Sequence, residues 1–361
     1  MRVGTTAIPL AAPLRLGPLL IRAREYAAVE VETDDGRTGS AYCLTRDAPV
    51  AACVERLVAP VVAGREVDPE ALWEECARST SAVGRSGLVV RALGLVDIAL
   101  WDLAAQAADT PLWRFLGGAR SGDTPRVPTM MIAAYPDAGR SPESLGEDVV
   151  RYAAEGYPLL KLARDADPAR MRRLLARASA GLPPGAGLVV DAGFGWRTAV
   201  EALAELPAWD APPLAWLEDP IVPEDVAGCA AIRRACPHPL GVGDEVTHIA
   251  TYEALLAAGA VDVLRLDLVA IGGITPARRV LRLAADHGLP VSLHVYPEVS
   301  IQVAAAQPGV MVETFDPVPG GNPYDPAHLL LLGGPELSGG ALLPPEAPGL
   351  GFRLAPGRFW A

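Results

Sequence analysis

Hydrophobic and polar positions along the 361-residue chain change their period near residue 120. Before it, Tyr26–Thr33 alternates in the manner of a half-buried strand, and Asp34-Asp35-Gly36 supplies a turn into the next one. Helical periodicity follows over Val50–Val62, Pro69–Ser79 and Ser86–Ala107. Together these predict an α+β unit over residues 1–120, closed by the small, polar stretch Gly117–Gly122. Beyond it come the short apolar runs Val127–Ile132, Leu159–Ala163, Leu188–Asp191, Ala215–Glu218, Leu240–Asp244, Val263–Asp267, Val291–His294 and Val310–Glu313, separated by helical segments. Buried strands that alternate with helices predict parallel β-α units, and eight of them close into a barrel, here over residues 121–325. The rest, residues 326–361, is turn-rich and is expected to return to the first unit.

Composition narrows the partners. A net charge of −12 argues against broad attraction to nucleic acid or to an anionic membrane, so an anionic ligand needs local help from a metal ion or a lysine. The apolar start Ala7–Ile21 carries Pro9, Pro13, Pro18 and Arg15 and does not read as a signal peptide. Leu88–Ala107 is broken by Arg91, Asp97 and Asp102, which fits a buried helix and not a membrane span. Five cysteines without a C-x-x-C pair suggest neither disulfides nor a zinc knuckle, and the expected compartment is the cytoplasm.

Candidate chemistry stands at the strand ends. Lys161, Asp191, Glu218, Asp244, Asp267, His294 and Glu313 each close an apolar run, about one strand-plus-helix repeat apart. Seven consecutive strands thus deliver an ionisable residue to one rim, the rim where barrel enzymes keep their active sites. A single Asp there often only caps the next helix. Three converging carboxylates, Asp191, Glu218 and Asp244, instead call for a hard divalent cation, and oxygen ligands without cysteine favour magnesium over zinc. Asp267 and His294 lie on adjacent strands, so the carboxylate can orient the imidazole as a proton carrier. His238, His248, His287 and His328 fall in helix or loop context without such a partner.

These residues resemble a family. The run Ala92–Leu103 followed by Pro111–Gly118 looks like the capping-domain helix of the mandelate racemase and muconate lactonizing branch of the enolase superfamily. Gly156–Lys161, Val190–Trp196, Trp216–Pro220, Gly243-Asp244-Glu245, Leu266-Asp267 with Gly272–Thr275, Ser292–His294 and Gly349-Leu350-Gly351 then follow in family order. The resemblance implies a modified TIM barrel, (β/α)7β, under an N-terminal α+β capping domain, with magnesium on Asp191, Glu218 and Asp244. Glu245 rivals Asp244 as third ligand. It further implies Lys161 near the substrate carboxylate, Glu313 as a hydrogen-bond donor to it, and, from the Asp267–His294 pair, the mandelate-racemase subgroup.

Two positions depart from the family pattern. The usual Lys-x-Lys is Lys161-Leu162-Ala163 here, and Gly193 replaces an asparagine common in relatives. Ala163 cannot move a proton. With one proton carrier visible, the expected reaction is magnesium-dependent abstraction of the proton α to a carboxylate through an enediolate, then loss of a β-hydroxyl from a sugar acid or other hydroxy acid. Racemisation or epimerisation is the alternative, and a barrel that binds metal and carboxylate without turnover is another. The expected partners are a small carboxylic acid and further copies of the same chain. Substrate choice is expected from the capping-domain loops around Ala11–Leu20 and Tyr42–Asp47, which carry Arg15 and Arg46.

Overall fold

The computed structural model describes residues 1–16, 19–118, 122, 124–136, 139–316 and 324–360. Among them, strands β1 (Arg2–Leu16), β2 (Leu19–Glu32) and β3 (Thr38–Leu44) form an antiparallel sheet in that order. The alternating run at Tyr26 is the inner part of β2. Tyr26 to Val29 are all buried instead of alternating, because both faces of the sheet are covered. The helix Leu88–Ala107 packs on one face, and Tyr26 and Tyr42 meet the barrel side through Asp325 and Tyr296. Gly39 permits the close approach of that helix, since a Cβ there would lie 2.1 Å from the Ala99 carbonyl oxygen.

The helical run from Val50 to Val62 contains a π-helical turn, Val54–Val58, just ahead of Pro60, whose nitrogen cannot donate to the preceding turn. The helix Pro69–Thr80 starts cleanly because Asp68 accepts from Ala71 N at 3.0 Å. Leu88–Ala107 is buried nearly all round, and no described helix is long and apolar enough to cross a membrane. The segment Ala11–Leu20, expected as a loop, forms the paired ends of β1 and β2 instead. Residues 17 and 18 and the Arg15 side chain lie outside the described part.

Eight parallel strands follow: β4 (Val127–Ala134), β5 (Leu159–Ala163), β6 (Gly187–Asp191), β7 (Trp216–Glu218), β8 (Leu240–Val242), β9 (Val263–Asp267), β10 (Val291–His294) and β11 (Val310–Thr314). Each pairs with the next, and β11 pairs with β4 to close the barrel. Among the described residues a helix follows every strand from β4 to β10 and none of α type follows β11, so the arrangement is (β/α)7β. After β11, Ala341–Leu343 adds antiparallel to β4, and Leu350 N donates to Asp102 in the capping helix at 2.8 Å.

Period-two alternation sorts the barrel interior into layers. Met130, Val189, Trp216 and Val263 make an apolar floor, with Leu159 and Met311 packed against it. Two residues further along their strands stand Lys161, Asp191, Glu218, Arg265 and Glu313. The floor seals this polar layer from the opposite mouth. Gly241 makes room for the Trp216 ring, which a Cβ would approach to 2.4 Å.

Cap and barrel are joined by a buried carboxyl. Asp97 on the capping helix accepts from Thr275 N at 3.0 Å and Thr275 Oγ1 at 2.6 Å, and Trp101 Nε1 donates to the same hydroxyl at 2.9 Å. Burial pushes the Asp97 carboxyl up to about 7, against the downward pull of the Thr275 hydrogen bonds. A folded value above the unfolded one means that its contribution to stability is complete at low pH and declines as pH rises from about 4 through about 7. Asp97→Asn should remove this slope, so that the unfolding free energy of wild type relative to the variant falls as pH rises across that window. Denaturant unfolding from pH 4 to 8 checks it, and a pH-independent difference would refute the assignment.

Candidate active site

Every strand-end residue singled out from the sequence reaches one mouth of the barrel. Lys161 Nζ lies 3.0 Å from Asp191 Oδ2, 2.5 Å from Glu218 Oε1, 3.2 Å from Glu313 Oε2 and 4.0 Å from Asp244 Oδ2. Burial alone would lower the ammonium's pKa. The fields of Asp191, Glu218 and Glu313 outweigh it and hold Lys161 well above the ordinary lysine value.

A second cation shares these carboxylates. Arg265 is fully buried and sits between Glu218 and Asp244, with Nε 3.0 Å from Glu218 Oε2 and 3.1 Å from Asp244 Oδ1, and its Nη2 pairs with Glu313. Sequence reasoning missed it, although the signal was present: a permanently charged side chain within Val263-Leu264-Arg265-Leu266-Asp267, on the same strand face as Asp267. Asp219 was missed as well. It is fully buried, its backbone takes a φ of +40°, and its two oxygens accept from Gly243 N at 3.0 Å and Asp244 N at 3.1 Å. Asp219 thus shapes the turn that presents Asp244. Gly243, at φ +138°, is required in that turn, because a Cβ would meet the Arg265 carbonyl oxygen at 2.2 Å.

Burial raises the Glu218 carboxyl to about 7 in spite of Arg265 and Lys161. Burial also raises Asp244, but Arg265, His294 and Lys161 outweigh it and hold that carboxyl well below the ordinary range. Glu313 behaves like Asp244: burial pushes it up, and Lys161 and Arg265 hold it down. In this arrangement Glu313 is an acceptor from two cations, and the donor role implied by the family resemblance would need a proton that these neighbours disfavour.

His294 Nδ1 lies 3.0 Å from Asp267 Oδ2, while Nε2 faces the carboxylate cluster, 3.6 Å from Asp244 Oδ2. Burial lowers the imidazole's pKa, but Asp244, the Asp267 hydrogen bond and Glu313 leave it above the ordinary histidine value. The parallel pairing of β9 and β10 puts His294 directly beside Asp267. Asp267 Oδ1 accepts from Ala270 N at 2.7 Å, which fixes the carboxylate's orientation.

The chemistry of the donor set fits a divalent cation. Glu218, Asp219 and Asp244 offer carboxylate oxygens within 4.8 Å of one another, and buried Asp244 Oδ1 has the Arg265 guanidinium 3.1 Å away but no aligned hydrogen bond among the described residues. This group contains Asp219 where the sequence suggested Asp191. Asp219 is the poorer ligand, since its oxygens are engaged by backbone N–H groups and burial raises its carboxyl well above the usual range. Glu245, the rival for Asp244, points to the cap, where it pairs with Arg91 and with Arg46 Nη2 at 2.6 Å.

A cavity of about 490 Å³ opens above this layer, lined among others by Tyr135, Phe194, Phe315 and Asp325. Tyr135, just beyond β4, is a further pocket residue that the sequence did not single out.

Removing Arg265 should expose the cost of so many buried carboxylates. Arg265→Met should destabilise the metal-free protein by about 3–5 kcal/mol, the usual penalty for breaking a buried ion pair. Saturating magnesium should recover part of the loss. Denaturant unfolding with and without magnesium checks this, and a neutral substitution would show that the guanidinium does not balance the cluster.

Comparison with known proteins agrees with this geometry. Residues 2–117 match the mandelate racemase / muconate lactonizing enzyme N-terminal domain, and residues 144–358 match the enolase C-terminal domain-like family. The chain is 29% identical over 344 residues to D-galactarolactone cycloisomerase of Agrobacterium fabrum, covering 92% of this chain and 89% of that one. A racemase from Streptomyces coelicolor with bound magnesium superposes with a TM-score of 0.85 at 25% identity, over 98% of this chain and 96% of the other. L-Talarate dehydratase from Polaromonas sp., complexed with magnesium and L-glucarate, gives a TM-score of 0.85 at 26% identity, over 99% and 94%. Both domain models match in order, and the barrel with its cap is common to the solved relatives, so the chain belongs to the mandelate racemase / muconate lactonizing enzyme family of the enolase superfamily.

Proposed function

We propose that this enzyme removes the proton α to the carboxylate of a sugar acid or related hydroxy acid and expels the β-hydroxyl as water, using His294 for both proton transfers. The observation that carries this reading is that, among the described residues, His294 is the one histidine lining the cavity, and no basic side chain stands at position 163. His294 is held by Asp267 on one wall, and Ala163 stands on β5, separated from β10 by β11 and β4.

Asp191, Glu218 and Asp244 would hold magnesium. When bound, the ion stabilises the negative charge that builds on the substrate carboxylate as the α-proton leaves. The side chains supply the rest. Neutral His294 accepts the α-proton at Nε2, because Asp267 fixes Nδ1 as the donor nitrogen. Lys161, fully charged, adds a second positive group beside the carboxylate oxygens. The imidazolium then protonates the departing hydroxyl on the same face, so the elimination is syn and His294 returns to its neutral form. Racemisation would need a proton carrier on the opposite face, where Ala163 offers none. The cycloisomerase, racemase and dehydratase names among the relatives support the shared first step and leave the second to each chain's own side chains.

Two sets of variants test the proposal. Asp191→Asn, Glu218→Gln and Asp244→Asn should each weaken magnesium binding by roughly 10-fold or more, since each removes a charge the cation needs. Glu245→Gln should do much less. Titration calorimetry with magnesium decides the third ligand: loss of binding in Glu245→Gln with retention in Asp244→Asn would reverse the assignment.

His294→Asn should abolish α-proton exchange in deuterium oxide while magnesium still binds. In wild type the acid limb of kcat/KM should report proton loss from His294, because activity requires its neutral form. Asp267→Asn should keep some activity and move that limb to lower pH, as the hydrogen bond that favours the imidazolium is lost. Exchange by His294→Asn at the wild-type rate would exclude the one-base mechanism.

A further inference from the structure

Most cations near the mouth already have carboxylate partners. Lys161 and Arg265 belong to the buried layer, and Arg46 is engaged by Glu245. Arg24 differs. It rises from β2 of the cap, lines the cavity, and is only 6% exposed. Its one hydrogen bond among the described residues runs from Nε to the Tyr324 carbonyl oxygen at 3.1 Å, and no described carboxylate lies within ion-pair distance. The chain just before Tyr324, residues 317–323, is Pro-Val-Pro-Gly-Gly-Asn-Pro and contains no acidic side chain.

A guanidinium stays charged at any physiological pH, and a nearly buried charge with a single neutral acceptor is costly. The neighbouring acid makes no ion pair with it among the described residues. Asp325 accepts from Tyr26 Oη and from Ala327 N, both at Oδ1. Tyr135 lines the same cavity, and its hydroxyl is within electrostatic reach of Lys161, Asp191 and Glu313 as well as Arg24. Arg24 therefore stands at the cap end of a cavity whose other end is the acidic layer, with its remaining N–H groups available to a ligand.

We propose that Arg24 binds a second anionic group on the substrate, so that the natural substrate is a diacid, with one carboxylate at the metal end and the other at the cap. The proposal rests on the reading of the site given above and narrows its substrate class. A planar guanidinium matches a carboxylate by paired hydrogen bonds, whereas a terminal hydroxyl would leave the charge unbalanced. Closure of the cap over the barrel is then tied to the far end of the ligand, because Arg24 belongs to the cap and its carbonyl acceptor to the chain that follows the barrel.

The test uses the magnesium-loaded full chain and six-carbon aldarates, each paired with the aldonate that differs only by a terminal CH2OH in place of the second carboxylate. The readouts are calorimetric affinity, α-proton exchange in deuterium oxide, and separate kcat and KM for any acid that turns over. Wild type should favour the best aldarate over its aldonate by roughly 30-fold or more in affinity or kcat/KM. Arg24→Met, which keeps the hydrocarbon stem, should reduce that preference by at least roughly 10-fold, chiefly through KM or Kd, and Arg24→Lys should restore part of it. If Arg24→Met does not fold, the wild-type preference and Arg24→Lys still decide. Equal or better binding of the aldonates, equal loss on both members of a pair, or failure of every aldarate to bind would overturn the proposal. Arg24-dependent binding of a diacid without α-proton exchange would sustain it while refuting the dehydration reading. Exchange that is indifferent to the distal charge would do the reverse.

Discussion

The structure depends on a layer of ionised side chains held inside the barrel on an apolar floor. Lys161 and Arg265 sit among Asp191, Glu218, Asp244 and Glu313, nearly all of them out of water. Each buried charge is unfavourable alone, so the arrangement stands only because every cation meets several carboxylates. The acids outnumber the cations in this layer. The remaining negative charge suits a divalent ion, and the low dielectric that makes the layer costly also strengthens its attraction for such a cation.

The apolar floor and the polar layer follow from one geometric rule. Side chains along a strand alternate, so the residue two positions after a floor residue also faces the barrel axis. Trp216 and Glu218 show the consequence: the indole fills the floor, and its Nε1 donates to Glu218 Oε2 at 2.9 Å in the layer above. Arg265 is placed by the same rule between Val263 in the floor and Asp267 at the rim. Its Nη1 is also held by Ser292 Oγ on the adjacent strand. One strand thereby contributes to the floor, the charge layer and the Asp267–His294 pair.

The cap completes the site through charge as well as shape. Glu245, in a left-handed backbone conformation at φ +62°, reaches Arg46 and the buried Arg91 across the seam. Arg91 also helps to hold Asp267 below the ordinary carboxylate range, after burial has pushed the other way and the His294 hydrogen bond has reversed it. The carboxylate that holds His294 therefore feels the cap. Trp73 Nε1, donating to the Gly272 carbonyl at 2.7 Å, and the Asp97–Thr275 contact fix the same seam from the helical side.

The sequence by itself determined the order and kind of the barrel elements. Strand-length apolar runs separated by helical periodicity are local features, and a parallel β-α repeat leaves few ways to close them. Which residues share the rim was legible for the same reason, since Lys161, Asp191, Glu218, Asp267, His294 and Glu313 each stand at or within one residue of a strand's end, or two in the case of Lys161. The tertiary structure decided what depends on neighbours distant in the chain. That Arg265 balances Glu218 and Glu313, that Asp219 shapes the Asp244 turn while Glu245 turns to the cap, and that Arg24 lines the pocket with a carbonyl as its one acceptor among the described residues are matters of pairing between strands and domains. No periodicity records such partners, because a charge in one strand reads the same whether its counter-charge lies across a barrel or in water.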